Sequence, residues 1–361
     1  LIVALSPVIL REIWQPEATV NTIRLPAEWE EQDGVLLAWP HEATDWKPYL
    51  TQAQETFAAI VAHATHHARV VLVTTTPDEA RRFLRHTQAI QDRILFAPLV
   101  TNDTWARDFG PITVYENRHP VLLDFQFNGW GGKFRADLDN VVSLGLKDYG
   151  IFGANHLRHI HLILEGGAIE SDGHGSILTT RSCLANPNRN PHLTGGDVEH
   201  ALRQFLGADR ILWLENGYLA GDDTDGHVDM LARFAPHDTL VYAACDNPEN
   251  EHYHALAAME AELRALRTAD GNPYRLLALP WPDPRRAPDG HRLPASYANY
   301  LVLNGCVLAP TYNDPRDKTA LAVLAQAYPG RRVIGIDCSS LILQHGSLHC
   351  VTMQLPKGVL P

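Results

Sequence analysis

Four segments of the 361-residue chain run through the same order of short apolar stretch, proline-marked turn and helical stretch: 70–84 (VVLVTTTPDEARRFL), 177–202, 240–263 and 307–324. A unit that recurs about every sixty residues constrains the fold more than any single motif, because repeated supersecondary units bury their apolar faces only against one another. In three of the four the turn is Asn186-Pro187, Asn247-Pro248 or Asp314-Pro315, at spacings of 61 and 67 residues. Proline keeps the residue before it extended and suits the first turn of a helix, so each Asx-Pro ends a strand and opens a helix. Second strand-like runs follow, five in all, at 93–100, 159–164, 211–214, 275–279 and 332–337. The piece from Asn117 to Gly150 departs from the unit and reads as long loops around FNGWGGK.

Polar clusters stand just beyond the second strands: NDTWARD (102–108), EGG (165–167), DDTDGHVD (222–229), SYANY (296–300) and HGSLHC (345–350). Asp108 to Glu165 is 57 residues, Glu165 to His227 is 62, and His227 to Cys350 is 123, about two units. Units set around an axis deliver one reactive residue each to the centre. A doubly wound α/β sheet with ligands at its strand ends is the alternative, and the spacing favours the circular arrangement. The proline-rich stretch 280–294 reads as a long surface loop.

Apolar residues make up 45% of the chain and charged residues 20%, the balance of a globular protein rather than a disordered one. A net charge of -12 argues against a nucleic-acid-binding surface and suits a cationic ligand. Nothing approaches the ~18 uninterrupted apolar residues of a membrane span. The five cysteines (Cys183, Cys245, Cys306, Cys338, Cys350) form no CxxC pair, which fits reduced thiols in a cytoplasmic protein. The apolar start, 1–10, contains Pro7 and lacks a basic leader or cleavage pattern, so it reads as a structural segment or an expression remnant.

Cys350 ends a small-residue approach, and His227 sits among Asp222, Asp223, Asp225 and Asp229, too many acids for a buried strand without a function. His227 and Asp229 are two apart and share a face of an extended segment. A thiol of ordinary pKa, about 8.5, needs a positive neighbour to ionise, and His227 or a cationic substrate supplies one. Asp108, Glu165 and Asp229 at corresponding points of the repeat would repel one another unless a cation shared the site. A guanidinium meets that need, since its planar fork donates paired hydrogen bonds to carboxylates. A metal held by these three acids and His227 is the rival, but Cys350 together with that set is not a convincing zinc site and hard cations reject the thiolate. His156, His159 and His161 read as an exposed strand lead-in, and the other four cysteines as packing. His349, next to Cys350, would face away on a strand and is read as structural.

The strings NDTWARDFGP, FNGWGGKF, LEGGAIESDGHGSILTTRSCLANPNRNP, DDTDGHVDMLARF, SYANYLVLNGCVLAPTYNDP and LPAEWEEQDGVLLAWP resemble those of the agmatine deiminase family along nearly the whole chain, from about Leu25 to Pro356. The resemblance implies a single α/β domain, residues 1–361 with a 1–24 extension, built as a five-bladed pseudo-symmetric ββαβ propeller of the pentein type. It implies Cys350 as nucleophile, His227 as general acid/base, Asp108 and Asp229 as guanidinium clamps, and Glu165 as orienter of His227 or a further clamp. Trp105 and Trp130 match tryptophans that wall the substrate channel, with core packing as their alternative role, and Asp225 is a further candidate contact. The implied reaction hydrolyses agmatine to N-carbamoylputrescine and ammonia through an amidino-cysteine, without metal or organic cofactor; a homodimer is suggested. One departure stands out: the family's GGGNIHC is replaced here by Gln344-His345-Gly346-Ser347-Leu348-His349-Cys350. Arginine or peptidylarginine as substrate, a metal-dependent amidohydrolase, and a non-catalytic polyamine-binding module are the other readings.

Overall fold

The apolar runs become strands buried in parallel pairs. In a computed structural model, which describes residues 22–361, Arg69–Val73 lies between Gln32–Ala38 and Ile94–Ala97 and runs parallel to both. The 1–10 stretch and nearly all of the expected 1–24 extension lie outside the described residues. Parallel neighbours need a crossover of a dozen or so residues, which a helix supplies. Here the helices are Leu50–Ala64 and, for the second pair, the shorter Pro77–Leu84.

Four more sheets among the described residues repeat one plan, an antiparallel neighbour followed by a parallel crossover. Ile112–Glu116 pairs antiparallel with His119–Gln126, which runs parallel to His156–Ile163. Ile169–Ser171, Ser176–Thr180 and Arg210–Leu214 follow the same order, as do Ala232–Ala235, Thr239–Ala243 and Arg275–Leu279. Leu301–Val302, Cys306–Thr311 and Arg332–Asp337 complete the series. The last three crossovers contain the helices Gly195–Leu206, Tyr253–Ala265 and Asp317–Ala327. The first of these is delimited by its own sequence: Thr194 and Asp197 form a reciprocal cap, and Gly207 ends it at a φ of 68°. The chain's last strand, Met353–Pro356, returns to pair antiparallel with Gln32–Ala38 near the start.

The segment expected as loops, Asn117 to Gly150, contains a strand of eight residues and the helix Val142–Asp148; only the part around FNGWGGK is irregular. Leu122 and Leu123 of that strand are fully buried, and it is paired on both edges. A strand covered on both faces reads as a continuous apolar run rather than an alternation, and the neighbouring Asn and Gly residues obscure it. All sheets feed one continuous apolar core. No described helix is long and apolar enough to cross a membrane.

Candidate active site

The turns beyond the strands bring three of the five polar clusters around one cavity of about 180 Å³; the EGG cluster reaches it through the Gly167 N–H on Asp108, and Asn299 of the fifth reaches the thiol at its floor. Cys350 and Asp108 form the floor, Trp105, Trp130, Phe134 and Met230 the apolar wall, and Asp45, Asp103, Asp222 and Asp223 ring the outer part. Trp105 and Trp130 are both buried and both line the cavity, their rings edge-on at 6.3 Å. Gly346 is small because Trp105 lies against it: a Cβ there would sit 2.1 Å from the indole. Gly167 is small for the same reason, since a Cβ would come within 2.6 Å of His227 Nδ1 and 2.9 Å of Asp108 Oδ1.

Each functional carboxylate is fixed by one set of partners and keeps another face open. Asp108 accepts from the Gly167 N–H at 3.0 Å and from Trp130 Nε1 at 2.9 Å. Burial, with Asp229 and Glu165 nearby, pushes its carboxyl up to about 6 despite His227. Asp229 Oδ2 is held by Asn299 Nδ2 at 3.2 Å and by His349 Nδ1 at 2.8 Å, while Oδ1 has no protein partner. Glu165 Oε1 accepts from Arg189 Nε at 2.7 Å, and Oε2 likewise has none. His227 is buried with neither ring nitrogen hydrogen-bonded; its Nδ1 stands 3.7 Å from Asp108 Oδ1. Burial opposes its charge, yet Asp108, Cys183 and Glu165 together raise its pKa well above the ordinary value.

Asn299 ties this set to the nucleophile candidate. Its Nδ2 lies 3.2 Å from Cys350 Sγ, and its Oδ1 accepts from the backbone N–H groups of His349 and Cys350 at 2.9 and 3.3 Å. Burial and the Asp229 and Asp108 carboxylates push the Cys350 thiol well above its ordinary value, so the resting group is a thiol, 3.9 Å from Asp229 Oδ2. Buried anions beside a thiol suppress its ionisation until a cation enters.

The structure brings Cys350, His227, Glu165, Asp108, Asp229, Trp105 and Trp130 together, and sets Asp225 apart. Asp225 does not line the cavity: its carboxylate is engaged by Lys133 Nζ at 2.8 Å, Asn188 Nδ2 at 3.0 Å and Arg189. A φ of 69° at Asp225 and 93° at Gly226 turn that side chain toward Arg189, whereas Asp222 and Asp223 face the cavity. His349, expected to face away, reaches Asp229 on one side and Glu28 Oε2, at 2.7 Å, on the other. Gln344 and His345, in place of the family's two glycines, each meet a backbone carbonyl. His345 takes the left-handed φ of 66°, with Nδ1 2.7 Å from Gly221 O and its ring stacked on His291, while Gln344 Nε2 donates to Asp45 O at 2.8 Å.

Asn299, Arg189 and the acids Asp45 and Asp103 were not singled out by the sequence reading, which took Cys183 for packing. Asn299 stands in the SYANY cluster and Arg189 beside an Asx-Pro turn, the positions where a signal existed. The three-histidine cluster lies on the strand His156–Ile163 with its rings exposed, and His159 Nδ1 is 3.0 Å from Asp124.

Comparison with known proteins agrees with this geometry. The sequence profile of the Porphyromonas-type peptidyl-arginine deiminase family matches residues 24–356. The agmatine deiminase of Ectopseudomonas mendocina is 33% identical over 356 residues, covering 92% of this chain and 95% of that protein. A protein from Porphyromonas gingivalis, solved under the provisional description arginine deiminase, superposes with a TM-score of 0.89 at 45% identity, over 94% of this chain and 100% of that one. A cysteine-to-serine variant of C. jejuni agmatine deiminase with substrate bound superposes at 0.87 with 36% identity, over 94% and 98%. With the profile spanning the chain from Arg24 to Pro356 and an agmatine deiminase aligned along nearly its full length, the chain belongs to the Porphyromonas-type peptidyl-arginine deiminase family, within its agmatine deiminase group.

Proposed function

We propose that the protein is an agmatine deiminase, converting agmatine and water to N-carbamoylputrescine and ammonia. The charge of the cavity carries this reading. Among the described residues, five carboxylates line it (Asp45, Asp103, Asp108, Asp222, Asp223) and no lysine or arginine does. Agmatine presents a cation at each end, so the guanidinium meets Asp108 and Asp229 while the ammonium meets the outer acids. Free arginine would bring its carboxylate to that acidic ring with no cationic partner, at a cost of several kcal/mol for like charges. The 36%-identical C. jejuni agmatine deiminase, solved with substrate bound, supports the same substrate.

The chemistry follows from the partners. A guanidinium entering between Asp108 and the open Oδ1 of Asp229 neutralises the anions that hold Cys350 protonated. As the cation binds, the thiol proton is released to solvent and the thiolate attacks the guanidinium carbon. His227, held as the imidazolium by the surrounding acids, gives its proton to the departing nitrogen, ammonia leaves, and an amidino-cysteine remains. Water activated by His227 adds to that carbon, and the C–S bond breaks to give the ureido product and the free thiol. Glu165 stabilises the imidazolium, and Arg189 fixes Glu165. Trp105 and Trp130 exclude water from the aliphatic spacer. The five sheets act as blades around this centre, closed by Met353–Pro356 against Gln32–Ala38, so each unit contributes a residue to one site.

Ammonia release from agmatine, arginine and a peptidyl-arginine tests the substrate, and mass spectrometry of enzyme quenched during turnover tests the intermediate. Turnover of agmatine with an amidino adduct on Cys350 is expected, and Cys350→Ala should bind agmatine without turning it over. Preference for arginine, or turnover by Cys350→Ala, would overturn the reading; activity abolished by a chelator would indicate the metal-dependent rival.

A further inference from the structure

Beneath the cavity floor lies a group of side chains that the reaction does not use as a set. Glu165, Cys183 and His227 are fully buried, and one ligand atom from each lies within 4.8 Å of the others. Glu165 Oε2 and both nitrogens of His227 have no hydrogen-bond partner among the described residues. Such atoms are costly to bury unpaired, about 1–3 kcal/mol each, so the arrangement favours whatever can pair with them.

Carboxylate, thiolate and imidazole are the donors zinc takes, and three protein ligands with an open fourth position is a common zinc geometry. Around tetrahedral zinc the ligand atoms stand roughly 3–4 Å apart, so small side-chain rotations close the set. Arg189 already fixes Glu165 through Oε1 and leaves Oε2 to face the group. One thiolate and one carboxylate cancel the charge of a divalent cation, which suits a site without solvent. An access path is present as well: the acid-lined cavity draws cations inward to Asp108, 3.7 Å from the imidazole.

We propose that Glu165, Cys183 and His227 form an inhibitory site for a soft divalent cation of the zinc class, which withdraws His227 from proton transfer when it binds. Binding forms metal–sulfur, metal–nitrogen and metal–oxygen bonds and releases the Cys183 thiol proton to solvent, together with any proton on His227; no electron is transferred. Inhibition is therefore reversible by a chelator. The nucleophile Cys350 is not a ligand, which separates this site from simple capture of the reactive thiol. The inhibitory consequence rests on the proposed role of His227, but metal binding itself does not.

Cobalt(II) added to the full-length Cys350→Ser protein tests the binding without turnover. A thiolate-to-cobalt charge-transfer band is expected there, and it should vanish when Cys183→Ser is added. In the wild-type enzyme, agmatine turnover should fall on zinc addition and recover with chelator. In Cys183→Ser, basal turnover should persist and half-inhibition should need at least about tenfold more zinc, a loss no smaller than that for removing an outer-shell partner of a metal site. Should the serine variant not fold, Cys183→Ala serves the same comparison. A cobalt band that survives without Cys183, or one lost with Cys350 alone, would overturn the proposal, as would unchanged zinc sensitivity in the Cys183 variant. Absence of turnover in the wild type would count against the deiminase reading and leave the cobalt result to decide the metal site.

Discussion

Asp103 stands half-buried in the cavity wall, accepting from the Thr104 N–H at 2.8 Å, and burial pushes its carboxyl up to about 7. Asp108 on the floor is raised to about 6 for the same first reason. Both must be ionised to pair with a cation, so their contribution is present above these values and lost as pH falls through them. Agmatine stays doubly charged throughout that range. The acid limb of kcat/KM for agmatine is therefore expected between about pH 6 and 7, and a limb near pH 4 in a pH-rate profile would contradict it. Replacing Asp103 by Asn removes one charged partner of the ammonium, an interaction of about 1.5–3 kcal/mol, and should raise KM for agmatine roughly 10- to 100-fold. It should leave kcat nearly unchanged, because the guanidinium end is not touched. Steady-state kinetics on the variant checks both. That the clusters bearing Cys350, His227, Glu165, Asp108 and Asp229 would lie near one another was legible in the sequence, because each cluster follows a second strand; the roles of these residues remain as proposed. Asp222, Asp223 and Asp225 were not separable, since which way an acid points depends on backbone torsions such as the left-handed φ of Asp225, and a string of acids carries no trace of them.

Among elements, the turn 345–352 binds the two sides of the site together. It carries Cys350 toward the cavity and His349 the other way, into a buried group of Glu28, Arg107, Glu170 and Arg233. Arg233 Nη2 reaches Glu28 Oε2 at 2.7 Å, and Glu28 reaches His349 Nε2 at 2.7 Å. His349 in turn holds Asp229, whose pKa stays below its ordinary value against the opposition of burial, through His349 and His227. Removing the ring by His349→Ala should lower kcat/KM about 10- to 100-fold, the worth of a charge-assisted hydrogen bond. It should also move the acid limb to higher pH, because Asp229 without that support ionises later. Thermal unfolding alone would register a lost packing residue, but only a positioning role moves the pH profile. An unshifted limb would make His349 structural, as the strand periodicity suggested. The elements themselves were readable where the pattern is local. Arg275–Leu279 and Arg332–Asp337 fall on the expected bounds. The Asx-Pro turns lie past the strand ends Ala243 and Thr311, but the short helix Arg181–Leu184 comes between the strand and Asn186-Pro187, and in all three the proline precedes the helix rather than opening its first turn. His119–Gln126 was missed because its apolar run is short and is followed by Asn and Gly residues, and because its second partner, His156–Ile163, lies some 35 residues on, although the first, Ile112–Glu116, is joined to it by a two-residue turn.

At the scale of the molecule, the repeat announced four similar units and five second strands, and the five-bladed arrangement was implied only by the resemblance; neither gave the join between the two ends of the described chain. That join is made by Met353–Pro356, which pairs with Gln32–Ala38 some 320 residues away. The ends are fastened on both sides: Leu360 N donates to Asp33 at 3.0 Å, Arg69 donates to Pro361 O at 2.7 Å, and Lys357 N donates to Glu31 O at 2.9 Å. Met353, Leu355, Val359 and Leu360 are all buried. At ~1.5–3 kcal/mol for each apolar side chain, deleting 353–361 exposes the counterpart of about 6–12 kcal/mol of burial. Whole domains are stable by only about 5–15 kcal/mol, so the loss equals the margin. The same deletion frees one edge of the strand Gln32–Ala38 and removes Met353, whose Sδ lies 3.6 Å from Arg107 in the turn that carries Asp108. A protein ending at residue 352 is therefore expected to lose both cooperative unfolding and deiminase activity, although Cys350, His227 and every carboxylate of the site remain. Circular dichroism melts of that truncated protein, beside one lacking only Pro361, give the comparison. A sharp transition retained by the shorter chain would mean that the sheets are stable independently and that the closing strand does not hold the site together.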